Sequence, residues 1–387
     1  MESIFGRGML TLEDTAWAER RKCMNVSFGQ NVLLSFIPIF NSETKTLVTE
    51  METIVDQDGT DILPYLFRWA FLVAHKTTLD TDVKDETNFK NNSLIESWNL
   101  LPFYMILKML VPILHNKIIS KIFGLEKKTT KLFSRVDALM DKIIASKLNS
   151  QSESSTDLSS NIVINRVMEL YRNGKITLDE AKGESWNMVL AAFETTALTV
   201  NHALILLAMF PQYQELVFRE LQEVFPSGED FEVEYSDLQK LVYLDCVLNE
   251  TLRLIPTTPV SPRETKEDVR LSNGVLVPKG VILAIDIFNI HRNKDIWGHD
   301  ADTFDPNRFL PENSRQRHPF AFIPFAKGKR NCIGWRYAQI TLKIALAKII
   351  RNYSFSTSFR YEDLTFVDNI VMKLDKTPLL NFKRRTT

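Results

Sequence analysis

Residues 177–210 constrain the fold more than any other part of the chain. Thr177-Leu-Asp-Glu180 has the form of a capping box, with Thr177 as N-cap and Glu180 three residues into the helix. A long, mostly apolar stretch follows to Phe210, and Pro211 cannot continue a helix. A helix of that length, apolar on most sides, has no water-facing side and must run through the middle of a protein. Other helices then have to surround it.

The rest of the chain supplies them. Pro211 can open the next helix, QYQELVFRELQEVF, and Leu241 to Leu254 reads as another. The period then changes. Val269 to Val277 reads as a hairpin with Asn273-Gly274 as a type I′ turn, and Val281 to Ile290 continues as strand. Residues 333–350 return to helix. The expected fold is therefore mainly α with a small β portion. It is taken as one domain over residues 1–387, with the Ser-rich stretch 149–161 as a flexible loop.

Composition excludes several classes. Lys plus Arg is 47 against 48 Asp plus Glu, so bulk charge offers nothing to a nucleic acid. No 18-residue uncharged apolar run marks a bilayer-spanning helix, and no signal peptide is visible at the start. Leu100 to Leu114 is the most apolar surface candidate, broken by Pro102, Lys108 and Pro112. It reads as a pair of core helices or as a shallow membrane-facing segment. Four Asn-x-Ser/Thr sequons, at Asn25, Asn91, Asn249 and Asn352, read as chance matches. There is no G-x-S-x-G for a hydrolase and no Walker loop for phosphate.

Three cysteines lie far apart. Cys23 and Cys246 read as inert packing thiols. Cys332 differs, because it sits in Phe325-Ala-Lys-Gly328-Lys-Arg330-Asn-Cys332-Ile-Gly334. If Cys332 is an axial thiolate on haem iron, each residue has a task. Gly328 and Gly334 let backbone and porphyrin approach. Amide N–H groups and the start of the following helix stabilise the sulfur's charge. Phe325 shields the sulfur from water, and Arg330 faces a propionate. This F-x-x-G-x-R-x-C-x-G loop resembles the haem-binding loop of the cytochrome P450 superfamily, whose thiolate pushes electron density onto iron and favours O–O cleavage.

Further motifs match in the family's order. Glu250-Thr-Leu-Arg253, with Arg308 from Phe304-Asp-Pro-Asn-Arg308-Phe309, is similar to the family's structural Glu–Arg–Arg triad. Ala191-Ala-Phe-Glu194-Thr195-Thr196 resembles the small-Gly-x-acid-Thr-Thr stretch of the family's central helix. That resemblance makes Glu194 and Thr195 the proton-relaying pair. The Trp17-x-x-x-Arg21 spacing and Arg263 resemble positions that hold haem propionates. Substrate contact is expected from Met188, Ala192, Phe193, Thr258 and Val260. The family's fatty-acid-hydroxylating relatives carry a haem-esterifying Glu where this chain has Ala191, so the haem b is expected to be bound non-covalently.

The AAFETT stretch and ELQEVFP resemble the insect and animal family-4-like microsomal group. Its members begin with a membrane anchor, first strands and first helices. This chain starts just before the Trp17 helix, so the expected fold lacks that block. The resemblance implies a haem-thiolate monooxygenase acting on a lipophilic substrate: a fatty acid, insect hormone or xenobiotic. Electrons would come from NADPH through NADPH–cytochrome P450 reductase, with cytochrome b5 as a further partner, at the cytosolic face of the endoplasmic reticulum membrane. Lys327, Lys329 and Arg336 would form a basic docking face. The alternative is a truncated, inactive haem binder or haem-free pseudoenzyme. A peroxide-rearranging relative is disfavoured by Thr195.

Overall fold

The computed structural model describes residues 8–84, 87, 93–115, 117–149, 158–226, 230–369 and 371–385. The long helices, in chain order, are α1 (Asp14–Asn25), α2 (Ile37–Met51), α3 (Leu63–Ala74), α4 (Ser93–Leu110), α5 (Leu125–Asn149), α6 (Val163–Arg172), α7 (Leu178–Met209), α8 (Pro211–Val224), α9 (Val242–Leu254) and α10 (Trp335–Asn352). Eight short strands pair antiparallel in four two-stranded sheets. β1 (Val260–Glu264) pairs with β4 (Ile282–Asp286), and β2 (Val269–Arg270) with β3 (Leu276–Val277). β5 (Tyr353–Ser356) pairs with β8 (Asn381–Arg384), and β6 (Phe366–Asn369) with β7 (Val371–Leu374). The chain is mainly helical with a small β portion, as its sequence pattern requires.

α7 is the axis. The Glu180 N–H donates to Thr177 Oγ1 at 3.2 Å, and the Thr177 N–H donates to Glu180 Oε2 at 2.8 Å, which closes the capping box. Pro211 opens α8 directly after α7 ends. By length and composition α7 could cross a membrane, but most of it is buried within the fold. It packs against α3, α5, α6, α9 and α10. Where α7 meets α3 and α4, an aromatic cluster forms: Phe71 lies 5.4 Å from Phe193 and 5.7 Å from Trp98, and Trp98 stacks on Trp186 at 5.6 Å. Rings in such edge-on and offset contacts gain energy beyond the area they bury.

Three local expectations change. The 269–277 hairpin does not turn through type I′, which needs positive φ at both central residues. Gly274 alone has positive φ, +86°. Its N–H donates to Leu271 O at 2.9 Å, and Asn273 Oδ1 accepts the Val275 N–H at 3.1 Å. This is a type I turn followed by a left-handed glycine. The strand from Val281 ends early, because Asp286 Oδ1 accepts the Asn289 N–H at 3.0 Å and caps a one-turn helix, Ile287–Ile290. Third, Pro102 does not interrupt α4, which runs on to Leu110. Of the Ser-rich stretch, residues 150–157 lie outside the described residues. Its flanks are the end of α5 and a 3-10 turn, Leu158–Asn161.

Candidate active site

The Cys332 loop is built by its own backbone. Ala326 N–H donates to Ile323 O at 2.9 Å, Asn331 N–H to Gly328 O at 3.1 Å, and Cys332 N–H to Phe325 O at 2.9 Å. Such tight folding needs left-handed residues: Ala326 has φ +56° and Gly328 φ +82°. The positive φ at Gly328 is one a side chain would strain, and a Cβ there would meet no protein atom within 4 Å. Gly334 is not required by the backbone. Its φ is an ordinary −91°, and a Cβ there would touch only Phe28 Cε1 at 3.6 Å. Its contribution is its N–H, which bonds the Cys332 sulfur just before α10 begins.

Cys332 is an exposed residue, yet enough protein surrounds its thiol to desolvate it. Desolvation there pushes the thiol up, while the Gly334 N–H and the Arg21 guanidinium pull it down. Such a thiol ionises when a metal takes the proton's place. Among the described residues, no three His, Cys, Asp or Glu side chains gather around a point that could hold a bare metal ion. An iron bound at Cys332 would have to bring most of its ligands with it. The donor set suits haem. Cys246, by contrast, is buried and pushed up to about 11, and Cys23 is half-buried.

Beside the loop, Arg330 stacks over the Trp17 ring at 4.1 Å, and its Nη1 donates to Leu12 O at 2.8 Å. Burial, then the charge of nearby Arg263, lowers the Arg330 pKa, with Asp14 and Glu13 opposing. Two guanidinium groups that repel each other are a place where an added carboxylate is stabilised, so Trp17, Arg263 and Arg330 fit the propionates of a haem. Arg263 also donates to Ser261 Oγ at 2.9 Å and Pro262 O at 2.7 Å. Arg21 makes its bonds to the Cys332 loop and its own helix. Its Nη1 donates to Asn331 O at 2.8 Å, its Nη2 to Asn331 Oδ1 at 3.0 Å and its Nε to Asn25 Oδ1 at 3.1 Å. Here the guanidinium ties α1 to the Cys332 loop. Lys327, Lys329 and Arg336 are all exposed, and Arg336, Arg21 and Ile333 line a recess of about 890 Å³.

On α7, Ala191 is exposed and Ala192 and Thr195 are half-buried in an otherwise buried stretch, so one strip of the helix is open. Thr195 Oγ1 donates to Ala191 O at 2.7 Å. Glu194 leaves the helix about 100° away. Its carboxylate, 5% exposed, pairs with Lys373 Nζ at 2.7 Å. Two residues expected to contact substrate are packed into cores instead. Phe193 is fully buried in the aromatic cluster, and Met188 packs with Met24, Val163 and Val167 in a satellite core. Met188 is at i and i+4 with Ala192 and lies on its side of the helix, so packing by α1 and α6, not its helical position, buries it. Thr258 is half-buried and Val260 is 36% exposed on β1.

The structural triad assembles. Arg253 Nε and Nη2 donate to the two oxygens of Glu250 at 2.6 and 2.7 Å, both residues having no exposure. Arg253 also donates to His291 O, Ala301 O and Thr303 O. Arg308 Nε stands 3.7 Å from Glu250 Oε1, while its other nitrogens bond Trp297 O and Asp300.

The sequence reading did not single out Lys373 or Thr199. Lys373 follows two buried residues, Val371 and Met372, on β7, and a largely enclosed lysine needs a partner.

A family model for cytochrome P450 matches residues 2–382. Among relatives, "Probable cytochrome P450 313a3" of Drosophila melanogaster is 50% identical over 386 residues, covering 100% of this chain and 78% of the relative. "Probable cytochrome P450 313a2" of the same organism is 51% identical over 381 residues, 98% of this chain and 77% of the relative. More distantly, its "Probable cytochrome P450 4ac3" is 28% identical over 391 residues, 99% and 75% respectively. The chain belongs to the cytochrome P450 family of haem-thiolate monooxygenases.

Proposed function

We propose that this chain inserts one atom of O2 into a lipophilic substrate, with Cys332 as the axial ligand of a non-covalently held haem b. The observation that carries the reading is the Cys332 loop: an exposed residue whose N–H donates to Phe325 O, whose sulfur is bonded by the Gly334 N–H, and which has Arg21 beside it. When bound, haem supplies the O2 and redox chemistry, which a thiolate ligand directs toward O–O cleavage. The protein's own groups do the rest. The Gly334 N–H and Arg21 stabilise the sulfur's charge, and Arg330 and Arg263 offset two carboxylates. Thr195 and Glu194 hold protons beside the open strip of α7. Ala191, Ala192, Thr258 and Val260 offer a substrate wall without charge.

The electron donor is NADPH through cytochrome P450 reductase, with cytochrome b5 as a second donor. Exposed Lys327, Lys329 and Arg336 give an acidic partner a basic face. Location at the cytosolic face of the endoplasmic reticulum membrane is supported by exposed Phe103, Ile113, Ile122 and Phe123 around the end of α4.

With reductase, NADPH and isotopically labelled O2, one labelled atom is expected in the product of a lipophilic substrate. Label arriving from water would overturn the reading. Acid–acetone extraction is expected to strip the haem; haem retained on the protein would contradict non-covalent binding.

A further inference from the structure

Glu194 sits near the middle of a buried helix, where an unpaired carboxylate is costly. Its partner does not come from a neighbouring helix. Lys373 Nζ reaches it at 2.7 Å from β7, one arm of the β6–β7 hairpin, and Lys373 is 28% exposed. That hairpin is a two-stranded sheet, so its fixed position depends on contacts made outside the sheet. Three such contacts stand out. The Phe366 ring lies 6.1 Å from Phe288. Met372 N–H donates to Thr257 O at 2.9 Å, and Thr257 Oγ1 meets Thr199 Oγ1, back on α7, at 2.8 Å. The third is the Lys373–Glu194 pair itself. The hairpin is thus joined to α7 at two points, a neutral chain through Thr257 and a direct charged contact. Only the charged contact involves a proton-carrying group.

We propose that Lys373 is a positioning residue: its ammonium holds the Glu194 carboxylate away from the Thr195 hydroxyl and latches the β6–β7 hairpin onto the central helix. This rests on reading Glu194 as a proton carrier. With the pair closed, one carboxylate oxygen is taken by the ammonium. The Thr195 hydroxyl, on the adjacent face, keeps its bond to Ala191 O. For a proton to pass between Glu194 and the Thr195 strip, the pair must open, the carboxylate must swing, and the hairpin loses its charged anchor. Hairpin motion and proton delivery are then one event.

The test uses the full haem-loaded chain and the variants K373M, K373R and E194Q. Amide hydrogen exchange at residues 371–374 is read without substrate. With reductase and substrate, product formed per NADPH, kcat and KM are read. K373M is expected to speed exchange in the hairpin about tenfold, the factor that ~1.4 kcal/mol of lost anchoring gives. It should also change kcat and the product-to-NADPH ratio with little change in KM. K373R should restore both, and E194Q should loosen the hairpin as K373M does. If K373M does not accumulate as folded protein, K373Q takes its place. Faster exchange with unchanged coupling would overturn the positioning role. Unchanged exchange in K373M and E194Q would overturn the latch. Unchanged coupling in E194Q alone would instead remove Glu194 from the proton path and leave the hairpin result standing.

Discussion

Arg253→Met should be among the most damaging single changes outside the Cys332 loop. Arg253 has no exposure and makes five hydrogen bonds: two to Glu250, and one each to the carbonyls of His291, Ala301 and Thr303. Methionine fills much of the volume but restores none of them. Glu250 would keep the Asp305 N–H at 2.9 Å and Arg308 at 3.7 Å, and would otherwise be an uncompensated buried charge. Removing one partner of a buried pair costs about 3–5 kcal/mol. Three carbonyls losing a donor add roughly 1 kcal/mol or more. The sum, about 4–6 kcal/mol, rivals the whole stability of many domains. Urea unfolding followed by tryptophan fluorescence reads it. The double variant E250Q/R253M separates charge from packing, because it removes the orphaned carboxylate, and it should be more stable than R253M by at least ~1 kcal/mol. An R253M midpoint within ~1 kcal/mol of wild type, or a double variant whose loss is the sum of the two single losses, would refute the reasoning.

Acid should destabilise the fold through two histidines. His202 is fully buried in α7 with no hydrogen-bond partner on either ring nitrogen, and burial lowers it to about 3. Burial also lowers His291 to about 4; its Nε2 accepts the Ile323 N–H at 2.9 Å. Both groups bind protons more readily in the unfolded chain, so their contribution is full above about pH 6.5 and falls as the pH drops toward 4. The slope should approach ~2.7 kcal/mol per pH unit for two protons. Urea midpoints at about pH 7.5 and pH 5 check it, and His202→Met should remove about half of the difference. A midpoint that does not fall at the lower pH would contradict the burial argument. Thr195→Ala should uncouple NADPH use from product while shifting stability by less than ~1 kcal/mol, since the hydroxyl bonds only a helical carbonyl that keeps its own ladder partner. Unchanged coupling would count against its proton-handling role.

Where the sequence was legible, a residue's role was set by its immediate neighbours. Thr177, Glu180 and Pro211 fixed the ends of α7 by local capping chemistry, and the Cys332 loop was readable because its left-handed glycine and its spacing are local requirements. Glu250 and Arg253 share one helix face at i and i+3, and the structure shows that face fully buried. What could not be read depended on partners distant in sequence. Phe193 and Met188 lie on apolar α7 like the residues of its open strip, and only packing by α3, α4, α1 and α6 decides which face is core. Arg21 turned to Asn331, 310 residues away. Lys373 meets Glu194 from 179 residues further along the chain. Asn273-Gly274 gave the right hairpin and the wrong turn, because one positive φ sufficed.

The central claim is that Cys332 is the thiolate that binds haem iron. It is tested most directly by loading wild type and Cys332→Ser with haem, reducing each with dithionite and recording the carbon monoxide difference spectrum. Wild type should show the red-shifted Soret band of a thiolate-ligated haem, and the serine variant should lose it. A wild-type band at the shorter, thiol-type position, or a serine variant that keeps the red-shifted band, would contradict the assignment.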